Sequence, residues 1–277
     1  MIDPAHIAQL EECRQALGVA EIADLAEPIM GGMMSFTAPG SWTNQACGMA
    51  IDGPVTDADL DRLVEFYVSR GCAPRVELCP FADKTLIEGL AARGFVLADF
   101  ETVLARSINL GAGDLALACR PPEGIEIRRI DPGDPAQVDQ WIRVSSSGFI
   151  QPDSAGFATF YEASRRVAVH PRMACFIAVQ SAQVVGAGGV EVASPLGTDS
   201  IACLVATSVL PDFRRRGVQQ ALISARLAHA REQGAIWATI QSKPRISTER
   251  NARRLGFETA YTKCVLVLRR PDLIESP

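Results

Sequence analysis

Three consecutive arginines separate a run of β-branched residues from a helical pattern. The stretch reads Val209-Leu-Pro-Asp-Phe-Arg-Arg-Arg-Gly-Val-Gln-Gln-Ala-Leu222. Its proline ends the predicted strand, and its glycine lets the chain turn into the helix. The first turn of a helix presents unpaired N–H groups and a partial positive charge that favour phosphate oxygens, and arginines add forked donors. We therefore predict an anion-binding loop at Arg214–Gln220.

The spacing Arg214-x-x-Gly217-x-Gln219 after a strand and a proline resembles the acyl-CoA signature of the GNAT superfamily of N-acyltransferases. The resemblance implies that the backbone amides of the loop hold the CoA diphosphate. It also implies that an adjacent strand pairs with the pantetheine arm through its main chain, as an added strand does. The cofactor-binding residues implied in this way are Thr207, Ser208, Val209, Arg214, Arg215, Arg216, Gly217, Val218, Gln219 and Gln220. At Gln219 the family has Gly or Ala, because the diphosphate approaches the backbone closely there. The larger glutamine side chain could reduce the space for the diphosphate.

A second segment, Ser247-Thr-Glu-Arg-Asn-Ala-Arg-Arg-Leu-Gly-Phe257, is similar to the last helix of many GNAT proteins. By this resemblance Asn251 helps to hold CoA. Many members have a tyrosine four residues before the glycine, where it protonates the leaving thiolate. This chain has Ala252 there, so the resemblance leaves the acid unassigned.

The resemblance implies direct transfer of an acetyl group from acetyl-CoA to a primary amine of an unidentified small molecule or peptide. We consider Glu191, with Glu162 as another candidate, for the base, and Tyr261 for the acid. The alternative for each carboxylate is an ordinary surface position. The alternative for Tyr261 is a half-buried aromatic residue of a strand.

Hydrophobic periodicity gives the order βαα βββ αβαβ from Ile125 to Leu268. We expect an α/β (α+β) fold of the GNAT type, with a mixed, largely antiparallel central sheet flanked by helices. Gly186, Gly188 and Gly189 are predicted to lie in a strand, at positions where another backbone segment or a ligand approaches closely. Ser247 or Thr248 is the expected N-cap of the last helix.

Two tandem domains are predicted: a degenerate GNAT-like domain at 1–112, a linker at 113–124, and an acyltransferase domain at 125–277. Gly71 and Gly94 close two N-terminal helices much as Gly234 and Gly256 close two C-terminal ones, which favours an internal duplication. The position equivalent to the arginine loop is Asp52–Asp59, whose carboxylates would repel a diphosphate. The first domain is therefore expected to keep the shape without the cofactor, and to complete a cleft or a dimer surface.

Composition argues against several classes of protein. The net charge of −5 disfavours a nucleic acid or an anionic membrane as the main partner. Eight cysteines and three histidines show no metal-ligand spacing, so no metal is expected. With no leader or long apolar segment, we expect a cytoplasmic protein, and a homodimer is left open.

Two other functions compete with the transferase. The first is a non-catalytic acyl-CoA-binding sensor or pseudoenzyme, because Ala252 replaces the tyrosine and no base is evident. The second is a nucleotide-phosphate enzyme, against which the lysine and Ser/Thr of a P-loop are missing.

Overall fold

The computed structural model describes residues 2–108 and 119–276, which form two compact units. The first unit comprises residues 3–103 together with the chain from Ala260 onward, and the second comprises the described residues between Leu104 and Thr259. The first half of the predicted linker, residues 113–118, lies outside the described residues. The last strand therefore belongs to the first unit, whereas the predicted boundaries assigned it to the C-terminal domain.

The first unit contains three helices and most of six strands. These are α1 (Pro4–Ile22), β1 (Leu25–Ile29), β2 (Gly32–Phe36), β3 (Gln45–Cys47), α2 (Asp57–Val68), β4 (Arg75–Leu78), α3 (Lys84–Ala92), the beginning of β5 (Val96–Ser107) and the end of β11 (Glu258–Val267). Strands β1, β2, β3, β4 and β11 are neighbours in that order. Only β3 and β4 in this series are parallel, with Ala46 opposite Val76.

The second unit contains the site predicted from the sequence. Its elements are β6 (Glu126–Arg129), α4 (Pro135–Ser146), α5 (Phe157–Ala168), β7 (Met173–Gln180), β8 (Gln183–Ala193), β9 (Ile201–Val209), a 3₁₀ turn (Pro211–Phe213), α6 (Val218–Glu232), β10 (Trp237–Ser242) and α7 (Ser247–Arg254). The strand order is β10-β9-β8-β7-β6, and only β9 and β10 are parallel. The predicted mixed, largely antiparallel sheet flanked by helices is confirmed, and within it β7, β8 and β9 are consecutive antiparallel neighbours.

The two halves of the chain repeat one order of elements, with β3-α2-β4-α3-β5 in the first half and β9-α6-β10-α7-β11 in the second. In each, the first and second strands of the series are parallel. The four glycines noted in the sequence all have φ between 70° and 81°. Such left-handed C-caps end a helix at little cost when the residue is glycine.

The helix ends after α3 and α7 also share their hydrogen bonds. Gly94 and Phe95 donate to Ala91 and Leu90 at 3.0 and 3.1 Å. The equivalent pair, Gly256 and Phe257, donates to Arg253 and Ala252, both at 3.1 Å. This agreement supports the predicted duplication.

Sequence reasoning missed one helix, and its prediction of one helix N-cap is wrong. Helix α1 was not predicted, although Asp3 caps it and Pro4 begins it, because its buried face includes Glu11, Glu12, Arg14 and Gln15 and so lacks apolar periodicity. The N-cap of α7 is Ile246, without a side-chain cap bond, and neither Ser247 nor Thr248. Thr248 is instead used as an acceptor by Gln219.

Candidate functional site

The site begins where β9 and β10 separate. The two parallel strands pair only over Ile201–Cys203 and Trp237–Thr239, although β9 continues to Val209 and β10 to Ser242. Residues Val205–Thr207 are correspondingly half-buried. The edge of β9 beyond Cys203 thus has backbone groups without a strand partner on the β10 side within the described chain, and an extended ligand can pair there.

A β-bulge lies at the start of this open edge. On β8, Ala187 is opposite Ser208 and Gly189 is opposite Val205, so Gly188 faces two residues of β9, Ala206 and Thr207. Ala206 has φ +51°, in the left-handed region. A bulge bends a strand and increases its twist. Its position next to the last β9–β10 pair accounts for the separation of the two strands.

The arginine loop follows directly from this edge. Arg215 and Gly217 have φ +60° and +85°, and Gly217 is the N-cap of α6 without any side-chain cap bond. The N–H groups from Arg215 to Gln220 have no backbone acceptor in residues 2–108 and 119–276. They form a row of donors at the positive end of a helix of 15 residues.

The three arginines differ in what holds them. Arg214 Nε donates to the carbonyl of Val209 at 2.9 Å, and Arg216 lies over the ring of Phe213 at 5.3 Å. Arg215 has no hydrogen bond or ion pair with any residue that the structure describes, and all three side chains are exposed. The local positive charge therefore faces solvent, where an anion can reach it.

Gln219 and Asn251, which the sequence placed in one cofactor site, lie together. Asn251 Nδ2 donates to Gln219 Oε1 at 2.6 Å, and Gln219 Nε2 donates to Thr248 Oγ1 at 3.2 Å. The Gln219 side chain is thus directed toward α7, while its backbone N–H stays in the row of donors. This arrangement shows how a side chain larger than Gly or Ala is accommodated at this position.

The residues considered for catalysis have other partners. Glu191 is 5% exposed and accepts from Arg172 Nη2 at 2.8 Å. Glu162 pairs with Arg165 at 2.7 Å on the surface of α5. Tyr261 belongs to the first unit, where its buried hydroxyl donates to Glu12 Oε1 at 2.7 Å and burial raises its pKa well above the usual value. The roles of Glu191 and Tyr261 stay predictions, and the geometry of Tyr261 does not favour an acid role.

Sequence reasoning missed Arg226, whose side chain is fully buried at the β9 bulge. A charged residue on an otherwise apolar helix face is a weak signal, since it is usually solvated. The run of glycines on β8 was the stronger signal. Gly188 lies against Arg226, which is the close approach that a strand glycine indicates.

Two features are absent from the described parts of the chain. No group of three or more His, Cys, Asp and Glu residues is arranged to hold a metal ion. No helix is both long enough and apolar enough to cross a bilayer.

Comparison with known families identifies the second unit. Residues 138–257 match the acetyltransferase (GNAT) family. These residues form a GNAT domain. The match contains the open edge of β9, the arginine loop and Asn251. Comparison with curated proteins gave no significant match.

Solved structures share the fold at low sequence identity. A GCN5-related N-acetyltransferase from Kribbella flavida superposes with a TM-score of 0.65 and 16% identity, over 97% of this chain and 96% of that one. A conserved protein of unknown function from Staphylococcus epidermidis gives 0.59 and 11%, over 87% and 92%. A tandem GNAT protein from the clavulanic acid biosynthesis pathway gives 0.54 and 15%, over 72% and 64%. The first two extend over most of both units.

Proposed function

We propose that this protein transfers an acetyl group from acetyl-CoA to a primary amine of a small molecule or peptide. One observation carries the proposal: the unpaired edge of β9 continues directly into the row of free amides from Arg215 to Gln220. An acyl-CoA molecule has the matching sequence of groups, because its amide-containing pantetheine arm is joined to a diphosphate. The proposal needs no metal.

The cofactor contacts follow from this match. The pantetheine arm pairs with the main chain of Thr207, Ser208 and Val209, and the diphosphate accepts from the amides of the loop. Arg215 adds an exposed charge beside the diphosphate, and Arg214 and Arg216 flank it. Asn251, held by Gln219, is close enough to the first turn of α6 to help fix the nucleotide end.

The reaction is a direct transfer. A neutral amine attacks the thioester carbonyl carbon, the carbon–sulfur bond breaks, the sulfur leaves as thiolate, and the amine loses one proton to a base or to water. Backbone N–H groups at the β9 bulge polarise the carbonyl. Glu191 is the candidate base, with Arg172 orienting its carboxylate. The thiolate is protonated by solvent in this scheme, since Ala252 has no hydroxyl group.

The second candidate is an acyl-CoA-binding protein without turnover. Ala252 at the usual tyrosine position favours it, as does the ion pair that Glu191 already makes. Cytoplasmic location, the absence of nucleic-acid and membrane partners, and a homodimer stay predictions.

The first experiment is calorimetric titration with acetyl-CoA of the native protein, Gly217→Asp and Gly217→Asn. Asn and Asp are nearly isosteric, and both tolerate a positive φ better than other non-glycine residues. They differ in one negative charge at the diphosphate site. We expect the Asp variant to bind about 10- to 100-fold more weakly than the Asn variant, which corresponds to about 1.4 to 2.8 kcal/mol.

Absence of acetyl-CoA binding by the folded native protein would overturn the proposal. If binding is observed, release of CoA is measured chromatographically with a panel of amines, because the partly exposed cysteines Cys13, Cys119 and Cys264 would react with thiol reagents. Turnover with any amine supports the transferase. Binding without turnover across small-molecule and peptide amines selects the sensor.

A further inference from the structure

Arg226 is a buried cation at the centre of the second unit. Its side chain is among the largest that are fully buried, with 0% exposure. From α6 it reaches both strands at the bulge: Nη1 lies 3.0 Å from the carbonyl oxygen of Gly189, 3.3 Å from that of Val205 and 2.8 Å from Thr207 Oγ1. Nε donates to the carbonyl of Leu222, one turn earlier on the same helix, at 2.9 Å.

No carboxylate balances this charge among residues 2–108 and 119–276. Burial lowers the pKa of Arg226 to about 9, which still leaves the guanidinium charged at neutral pH. Removing a charged group from water is costly unless hydrogen bonds replace the lost hydration. Here the compensation comes from carbonyl and hydroxyl oxygens of the two strands, so the charge and the bulge stabilise each other.

The opposite strand is shaped around the same side chain. A Cβ atom on Gly188 would lie 2.9 Å from Arg226 Nη1 and 3.1 Å from Thr207 Oγ1, which leaves no room for a side chain. From the other face of the sheet, buried Trp141 Nε1 donates to the carbonyl of Gly188 at 3.1 Å. Helices α6 and α4 therefore each place one buried donor against the strand segment opposite the bulge.

We infer that Arg226 is a positioning residue for acyl-CoA: it holds the β9 bulge in the form that leaves the strand edge open for the acylated pantetheine arm. The inference rests on the proposed function. Its particular consequence is that two parts of the cofactor depend on different regions of the protein. Binding of the arm depends on Arg226, whereas binding of the nucleotide and diphosphate depends on the loop at the start of α6, which lies about two turns before Arg226 along the helix.

The test uses Arg226→Met and Arg226→Lys. Methionine fills much of the volume without charge, and replacing a buried charge by an apolar residue of similar size is often tolerated by the fold. Lysine keeps the charge but has a compact head that cannot reproduce the planar fork. Arg231→Met, an exposed position on the same helix, is the matched control. Thr207→Val removes one of the acceptors and keeps the main chain of β9.

Each protein is titrated with acetyl-CoA and with 3′-phospho-ADP, the nucleotide half of CoA, up to millimolar concentration. For Arg226→Met we expect acetyl-CoA to bind at least about 10-fold more weakly and the nucleotide to bind within about 2-fold of the native value, by the affinity scale on which tenfold is about 1.4 kcal/mol. Arg226→Lys recovers part of the loss, Thr207→Val shows a smaller loss in the same direction, and Arg231→Met shows none. A general destabilisation would weaken both ligands together.

The inference is overturned if acetyl-CoA and the nucleotide lose affinity equally in Arg226→Met, or if neither changes. It is also overturned if the native protein binds acetyl-CoA without measurable nucleotide binding and the Met variant keeps its acetyl-CoA affinity. Failure of the native protein to bind either ligand defeats the proposed function itself, so the two failures are distinguishable.

Discussion

The N-terminal ends of α2 and α6 occupy equivalent places in the two halves of the chain. They differ in whether the backbone N–H groups of the first helical turn are capped by side chains. At α2, Thr56 Oγ1 accepts from the N–H of Asp59 at 3.2 Å, and Asp59 Oδ2 accepts from the N–H of Thr56 at 3.1 Å. In this capping box, backbone N–H groups at the helix end donate to side chains of the protein itself. At α6, Gly217 offers no cap, and the donors stay free for a ligand.

The charges near the two helix ends follow the same contrast. Arg93 lies 3.1 Å from Asp57 and 2.6 Å from Asp61, so the acidic end of α2 is partly neutralised from α3. The arginines of the α6 loop have no carboxylate partner in the described chain. The helix end in the first unit thus satisfies donors within the protein, whereas the helix end in the second unit leaves a set of donors open. Under the proposed function, this difference accounts for acyl-CoA binding by the second unit and not by the first.

The test with the largest expected effect concerns the buried charges of the first unit. Lys263 is 0% exposed and lies 3.1 Å from Glu12 Oε1 and 3.2 Å from Glu77 Oε2. Lys263→Met leaves two buried carboxylates without their cation, and we expect a loss of about 3 to 5 kcal/mol in the free energy of unfolding. Hydrogen exchange of peptides from α1 and β4 measures it. Lys84→Met, at an exposed ion pair, is the control and is expected to change stability by under about 0.5 kcal/mol.

A loss below about 1 kcal/mol for Lys263→Met would contradict the view that the first unit depends on internal charge compensation, because removal of one buried partner normally costs more. Equal losses of unfolding free energy in Lys263→Met and Lys84→Met would also contradict that view.

The second test is the pH dependence of the first unit. Burial, together with the charge of Glu77, raises the pKa of Glu101 to about 7, and Lys263 and Arg75 oppose that rise. The folded state therefore holds the Glu101 proton more tightly than the unfolded state does. This contribution to stability is present below the unfolded pKa of about 4.5 and is lost as pH rises to about 7, a decrease of at most about 3.4 kcal/mol.

Glu101→Gln should flatten stability between about pH 4.5 and 7, as measured by denaturant unfolding at several pH values. The depressed pKa of Glu77, caused chiefly by Lys263 against the effect of burial, acts in a more acidic window. A slope that persists in the Gln variant would show that another group is responsible.

The sequence was most informative where local chemistry determines structure. The strand Ile201–Val209 directly precedes the arginine loop, and the helix Lys84–Ala92 ends just before Gly94, as the sequence predicts. The loop from Arg214 to Gly217 was found because strand, proline, glycine and helix are adjacent in the chain. The assignment of β11 to the first unit could not be found in this way, because strand pairing across more than 180 residues leaves no local signal.

Buried polar residues explain most of what the sequence did not reveal. Helix α1 hides its pattern because Glu12 and Gln15 are bonded to Tyr261 and Lys263, nearly the length of the chain away. Arg226 interrupts the apolar face of α6 for a similar reason, since its partners are backbone oxygens of β8 and β9. A pattern of apolar residues cannot show an internal polar contact of this kind.

The third test uses the least constrained arginine of the open helix end. Because the Arg215 side chain is exposed and bonded to nothing else that the structure describes, Arg215→Gln should leave stability within about 0.5 kcal/mol of native. It should weaken acetyl-CoA about 3- to 10-fold at low ionic strength, less as salt screens the charge. Calorimetry at two salt concentrations checks this, with Arg231→Gln as the control. A stability loss without a change in affinity would mean that Arg215 serves the fold instead of the ligand.

The test with the smallest expected effect removes the side-chain cap from the N-terminal end of α2. Thr56→Ala removes half of the capping box of α2, and we expect a loss of about 1 kcal/mol in unfolding free energy. Acetyl-CoA should still bind at a single site with native affinity, because Asp57 and Asp59 remain beside the freed amides and repel a diphosphate. Calorimetric stoichiometry and denaturant unfolding measure the two effects. A second binding site in Thr56→Ala would mean that capping alone, without the reversal of charge, separates the two halves of this chain.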